Sequence, residues 1–424
     1  MTPSIITPSL PTRRTLVGLG LGIAFGLGGL VNGAIADAPP RDDAGSDQKT
    51  EATPLRALCE GNQAFALDLY RRGIEPGRNL VFSPYGISEC FAMLYAGSDG
   101  ETTTALQEVF RYPGTPGEIL GTFAELQRRL AGRSNESCRI AIANSCWTNR
   151  GVELLPGFAR EMNDDLDADL FNVDFRDRDD VKARMSKWVS SKTGGLIESV
   201  PAIEDPSTLL MLMNTVHLDA KWVAPFLAND TWNSTFHLAD GSKAVVPMMN
   251  QTRDLRFLET DDLQVLEIPY QGKKASMTLV MPKAGRTLAD LERTIDAGEI
   301  ADWDRGMKKT LIGLKLPRFE LSGTLDFNPL IEAMSSGNLL ANPDLRRMLD
   351  RSQVRISKTC QDAVIKVDEL GTKAAAVTRL TPDGAYGRRP EPREVIFNQP
   401  FLFMVRDCEL DTIFFMGRVM DPRG

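Results

Sequence analysis

The chain has 424 residues, 42% of them hydrophobic and 25% charged, proportions that allow a sizeable buried core and exclude a chain disordered throughout. Its net charge of −8 and the lack of any Lys/Arg stripe exclude a broad nucleic-acid surface, so no nucleic-acid partner is expected.

Thr12-Arg13-Arg14-Thr15-Leu16 leads into an apolar, Gly-rich run over 16–31, followed by Ala34-Ile35-Ala36. The apolar core falls short of the ~20 residues that span a bilayer, and the small-x-small ending marks a processing site. Together they predict a signal peptide over 1–36, of twin-arginine type because Leu16 stands two places after the second Arg. Export to the periplasm or beyond the cell is expected, with no stable membrane span after processing. The competing reading is an uncleaved anchor packed through Gly18, Gly22 and Gly26. Residues 37–54, rich in Ala, Pro and Asp, read as a flexible linker.

From Leu55 to Tyr70 and from Ile87 to Leu94 apolar residues recur at helical spacing, the second run following Phe82-Ser83-Pro84. Ile140 to Trp147 alternates as a strand, and Val181 to Lys192 returns to a helical pattern that Gly194-Gly195 stops. Leu209 to Leu218 reads as a strand buried on both faces. Beyond Phe236 short strands follow at Leu263–Tyr270, Ala275–Met281, Thr310–Phe319, Ala363–Val367, Phe401–Val405 and Ile413–Val419. With a helix-rich front half, strands later and no composition break, residues 55–424 are expected to form a single α+β domain.

An enzyme is not expected. The two histidines, His217 in an apolar strand and His237, accompany no Gly-x-Ser-x-Gly elbow and no metal-type spacing, so neither a metal nor a cofactor is expected. Six scattered cysteines in an exported chain leave a distant bridge open, while Cys90 and Cys146 sit in apolar surroundings and read as small core hydrophobes. The unusual passage is Asp368 to Thr378 with 379–393 behind it, a long polar connection between two strand-like runs. Connections of that length usually carry function.

Several blocks resemble the serpin family. Asn79-Leu80-Val81-Phe82-Ser83-Pro84 with Met93–Gly97 is similar to the family's second helix, and Trp188-Val189 with Lys192-Thr193 and Gly195 to a further helix block. Ala143-Asn144 with Trp147, Met213-Asn214 with Lys221-Trp222 and Phe226, Pro247-Met248-Met249, Leu316–Phe319 and Phe415–Val419 with Asp421-Pro422 extend the likeness across 55–422. Val395 to Val405 resembles the family signature at every position. The resemblance implies a serpin fold with a large central mixed sheet, smaller sheets, and an exposed reactive-centre loop at about 369–396. It implies a monomer whose partner is a serine protease, which cuts the loop, becomes trapped as an acyl-enzyme and is dragged as the loop inserts in the sheet; the competing readings are a non-inhibitory serpin-fold binding or carrier protein and a cross-class inhibitor of cysteine proteases.

Insertion requires alternate residues to be small or apolar. Counting by twos, Thr372, Ala374, Ala376, Thr378 and Leu380 face inward, whereas Lys373, Val377 and Arg379 face solvent. Ala375 shares this small-residue hinge, and Glu369 and Gly371 match its acidic and turning positions. In the family the cut lies about fourteen residues beyond the hinge glycine, a span of about 48 Å at ~3.4 Å per residue, which places the reactive bond at Ala385-Tyr386. Counting back from Phe397 instead favours Arg388 or Arg389. Ala385 suits an elastase- or subtilisin-like protease, Tyr386 a chymotrypsin-like one and Arg388 a trypsin-like one. The resemblance also assigns Ser83, Asn214, Trp222 and Gln361 to the region where the sheet opens. Gly86 stands where the family commonly has a second serine, Gln361 where it has a histidine, and Leu370 where it has a charge. Gln361 keeps hydrogen bonds with Asn214 and Ser83 available, without pH sensitivity, and Leu370 is expected to tie the hinge down.

Overall fold

The structure is a computed structural model describing residues 53–133, 138–201, 203, 205, 207–335, 339–350, 354–372 and 391–424. The expected signal peptide, nearly all of the linker, and Ala374, Ala375, Ala376, Thr378, Ala385 and Tyr386 lie outside the described residues.

Helix α1 (Pro54–Gly73) begins one residue ahead of the expected boundary. Thr53 caps it by accepting from the Arg56 amide at 3.3 Å, and Pro54 pre-sets the first turn. Strand β1 (Leu80–Phe82) feeds α2 (Pro84–Gly97), every residue of which is buried. Such a helix runs through the core rather than along its surface. Helices α3 (Gly100–Phe110), α4 (Pro116–Arg133), α5 (Pro156–Leu166) and α6 (Arg178–Lys192) follow, with β2 (Cys138–Asn149) and β3 (Asp169–Val173) among them. Gly194 and Gly195 take positive φ just after α6, as expected of a helix stop.

The back half is less purely β than the sequence suggests. Between its strands lie α7 (Leu288–Thr294), α8 (Ala297–Gly306) and α9 (Asn328–Met334), of 7, 10 and 7 residues. Helices of two or three turns leave too few repeats for a 3.6-residue pattern to stand out.

Two sheets organise the strands. The six-stranded sheet has the order β10 (Phe319–Asp326), β11 (Ile356–Val367), β12 (Gly371–Thr372), β4 (Leu210–Lys221), β2, β3. It is mixed, with β11 parallel to β4 and β3 parallel to β2. The other sheet has nine strands: β1, β5 (Trp232–His237), β6 (Lys243–Glu259), β7 (Leu263–Pro269), β8 (Ala275–Pro282), β9 (Lys308–Pro317), β13 (Arg393–Ile396), β14 (Phe401–Asp407) and β15 (Ile413–Val419). The expected strand 310–319 is therefore two: β9 stays in the nine-stranded sheet, and at Arg318 the chain passes into β10 of the other.

The six-stranded sheet buries both faces. Leu210, Leu212, Val216, Leu218 and Ala220 of β4 belong to the main core with α1 and α2, whereas Met211 and Met213 pack with Trp147, Met185 and Trp188 under α6. This two-sided burial explains why β4 is apolar at most positions instead of alternating with polar residues. No disulfide joins the six cysteines. Burial pushes the Cys146 thiol up to about 12 and the Cys59 thiol up to about 11, which suits small core hydrophobes.

Candidate functional site: a seam in the mixed sheet

Parallel strands β4 and β11 pair from Leu210 opposite Ile356 to His217 opposite Val364, with one register shift between Ile356 and Lys358. Beyond that level β12 enters between them. Thr372 lies opposite Ala220 on one side and Val367 on the other, and Gly371 opposite Lys221, with β12 antiparallel to both neighbours. A strand entering this way replaces one parallel ladder by two antiparallel ones, the slightly more stable pairing.

The hinge expected within an exposed loop is buried at its start. Asp368 to Gly371 form a tight turn in which the Asp368 amide donates to the Gly371 carbonyl at 2.9 Å and the Leu370 amide to Asp368 Oδ1 at 2.9 Å. Trp222 binds this turn twice, its amide donating to the Leu370 carbonyl at 2.9 Å and its indole Nε1 to the Asp368 carbonyl at 3.0 Å. Leu370 thus ties the hinge through its backbone. Trp222 is stacked on Tyr270, with centroids 4.6 Å apart and rings 9° from parallel, and the Tyr270 hydroxyl meets Thr372 Oγ1 at 2.9 Å. Gly371 has φ +149°, and a Cβ there would lie 2.1 Å from the Ala220 carbonyl oxygen. Only glycine fits against β4 at this point.

Glu369 is 7% exposed. Arg318 Nε reaches both its oxygens at 2.8 Å, Arg318 Nη2 adds a further contact, and Thr231 Oγ1 donates at 2.5 Å. Burial raises the Glu369 carboxyl, but the bonds from Arg318 and Thr231 outweigh it and hold the group below the usual carboxylate range. The pair therefore adds stability above the ordinary carboxylate pKa, and that stability is lost as the pH falls through the lowered value. Arg318 is half-exposed, so screening limits the contribution to about 1 kcal/mol. We expect Glu369→Gln to lower the thermal midpoint at pH 7 and to match the parent near pH 3, as differential scanning calorimetry would measure.

A second cluster lies lower in the seam, where Asn214 faces Gln361 across the β4–β11 pair. Gln361 Nε2 donates to Asn214 Oδ1 at 2.5 Å and to the Ser83 carbonyl at 3.1 Å, while Gln361 Oε1 accepts from the Ser83 amide at 2.7 Å. Asn214 Nδ2 donates to Asn144 Oδ1 at 2.7 Å. All four residues are at most 1% exposed. Gly86 makes room for this arrangement, since a Cβ there would stand 2.5 Å from Asn214 Oδ1.

The sheet-opening residues expected from sequence thus divide. Ser83, Asn214 and Gln361 touch, whereas Trp222 sits with the hinge, eight residues along from Asn214 or about 26 Å at ~3.3 Å per residue. Sequence reasoning did not single out Tyr270, Thr231, Arg318 or Glu89 as site residues. Glu89 carried a signal, a charge directly before the apolar run CFAML of α2; the others lie far from the loop in sequence and meet it only on folding.

A mixed sheet whose parallel seam is entered at one end by the start of a long connection defines a class of strand-accepting proteins. The chain belongs to the serpin (serine protease inhibitor) family, whose model matches residues 60–422. It is 31% identical to plasminogen activator inhibitor 1 of Bos taurus over 355 residues, covering 81% of this chain and 87% of that one. It is 30% identical to human antithrombin-III over 402 residues, covering 90% and 86%. A serpin-like protein of Thermococcus kodakarensis is 30% identical over 362 residues, covering 85% and 84%. The fold is similar to that of human thyroxine-binding globulin in complex with its hormone, with TM-score 0.81, 25% identity, and 88% and 100% covered. Among the described residues no helix is long and apolar enough to cross a membrane.

Proposed function

We propose that the exported, monomeric chain inhibits a serine endopeptidase as a suicide substrate. The target's serine Oγ attacks the Ala385 carbonyl, the bond to Tyr386 breaks as its nitrogen takes up a proton, and the ester is carried away as residues 373–385 continue β12 down the seam. Water would otherwise hydrolyse that ester and free the protease.

The observation that carries this reading is the register of β12. With Thr372 opposite Ala220 and Val367, each further pair of residues advances by two on both neighbours. Ala374 meets Leu218 and Ile365, Ala376 meets Val216 and Ala363, and Thr378 meets Asn214 and Gln361. From Thr372 to Thr378 every residue on this inward face is small or a hydroxyl, Leu380 beyond them is apolar, and the face would lie over the packed core of α2. Thr378 arrives where the Asn214–Gln361 bond must part, and its hydroxyl can accept from one amide and donate to the other. In this reading Trp222, Glu369 and Gly371 set the entry, and Ser83, Asn214 and Gln361 keep the lower seam shut until the loop is cut.

The test is incubation of the chain lacking residues 1–36 with elastase-, subtilisin-, chymotrypsin- and trypsin-like serine proteases. A covalent complex that survives denaturing electrophoresis is expected with at least one, together with a released C-terminal peptide that begins at Tyr386 by mass spectrometry. Cleavage by every protease with full activity retained would refute inhibition. A peptide starting at Arg389 or Pro390 would move the bond and make a trypsin-like target the better match.

A further inference from the structure

The amide chain across the seam ends on a buried carboxyl. From Gln361 onward its links point one way: Gln361, which exchanges bonds with the Ser83 backbone, donates to Asn214, Asn214 to Asn144, and Asn144 Nδ2 to Glu89 Oε2 at 2.7 Å. The other oxygen, Glu89 Oε1, accepts from the Tyr85 hydroxyl at 2.6 Å and from Gln127 Nε2 at 3.0 Å. Glu89 has no exposed surface, and none of these partners is a cation. Beside it a cavity of about 650 Å³, bounded in part by Gln127, Arg139 and Asp167, opens toward solvent and offers a route for water and protons.

The carboxyl and its partner sit on pieces that must move apart if the seam opens between β4 and β11. Asn144 belongs to β2, which is paired with β4 from Cys138 to Thr148. Glu89 belongs to α2, which packs against α1, α4 and β15 as well as the sheet. When β4 leaves β11 and carries β2 with it, Asn144 withdraws from Glu89 and cavity water can replace it. We propose that Glu89 is a proton-controlled latch on the seam: protonated, it rests uncharged in the closed core; ionised, its buried charge is relieved by the hydration that separation of β4 from β11 brings. The latch rests on the reading that the sheet opens at this seam.

The sign follows from linkage. Burial pushes the Glu89 carboxyl up to about 7, against the hydrogen bonds from Tyr85, Gln127 and Asn144 that pull it down. A raised folded-state value means that the group's contribution to stability is whole below its ordinary value and is lost as pH rises through about 7. Opening hydrates the carboxyl and releases its proton, so it becomes easier over the same interval.

Tyr85 and Cys90 on α2 and Tyr112 after α3 are pushed well up by burial, and so are Cys59 on α1 and Cys146 on β2. The element α4 presents the neutral Gln127, β2 presents Asn144 and Arg139, and Asp167 follows α5. Gln361, which stands where the family commonly has a histidine, was expected to leave the network insensitive to pH; in the proposed latch the sensitivity lies instead at Glu89 on α2.

Hydrogen exchange of the chain and of its Glu89→Gln variant, read by mass spectrometry at pH 5.5 and 8.0 and corrected for intrinsic rates, tests the latch. Protection of the β4 and β11 peptides in the parent should fall by at least about tenfold relative to the variant as the pH rises, one pK unit of linkage being tenfold. The same parent-to-variant ratio at both pH values would overturn the proposal. If the variant does not fold, a corrected parent profile with no inflection near pH 7 overturns it equally. No step involves a protease, so an exchange switch without covalent complexes would sink the inhibitor reading and leave the latch standing.

Discussion

Thr372→Arg is expected to turn the chain from an inhibitor into a substrate. Thr372 is 1% exposed, held between Ala220 and Val367, with its hydroxyl on Tyr270. An arginine there must either bury an unpaired charge, at a cost of several kcal/mol, or keep β12 out of the seam. If only 2 kcal/mol of that cost is felt in the transition state for insertion, the step slows about 30-fold, and hydrolysis of the acyl-enzyme overtakes it. Titration of the target protease should show the stoichiometry of inhibition rising from near one to above ten. Loop cleavage should raise the heat stability of the parent and leave that of the variant unchanged. Thr372→Ser, which keeps the hydroxyl and the size class, should remain an inhibitor. An arginine variant that still trapped protease one for one would mean that strand insertion is not the trap.

Asn214→Ala should weaken the closed sheet more than any other single change in the lower seam. Asn214 accepts from Gln361 and donates to Asn144 with no exposed surface, so its truncation leaves two buried amides short of a partner and opens a small void. The expected loss is about 2–4 kcal/mol, or roughly 3–5 °C in the thermal midpoint of a domain this long. Uncut variant should also convert on warming, faster than the parent, to a heat-resistant form that no longer traps protease. A double-mutant cycle with Gln361→Leu checks that the amide pair is responsible: a coupling energy of at least about 1 kcal/mol is expected, and additive losses would place the damage elsewhere.

The two residues also mark how far the chain could be read without its structure. Thr372 and its small neighbours at alternate positions were legible because a strand's side chains alternate faces, a rule that needs no tertiary knowledge. The strand β4 was legible because two buried faces leave a largely apolar run from Leu209 to Leu218, interrupted at Asn214, Thr215 and His217. Helix α2 was found only as Ile87 to Leu94, because a helix buried on every side keeps no polar face to mark its ends. The short α7 and α9 left no pattern at all.

Sequence by itself determined that this is an α+β serpin, that a long connection follows Asp368, and that the connection begins with residues fit for burial, since local period and residue size are written along the chain. Only the tertiary structure decided where that burial starts. It placed Thr372 between β4 and β11, clasped Glu369 with Arg318 and Thr231, set Trp222 at the hinge instead of beside Asn214, and joined Gln361 through two asparagines to Glu89. Those contacts join residues tens to hundreds of positions apart, and their energies depend on burial and on hydrogen-bond direction. Both come into being only when the sheet closes over α2.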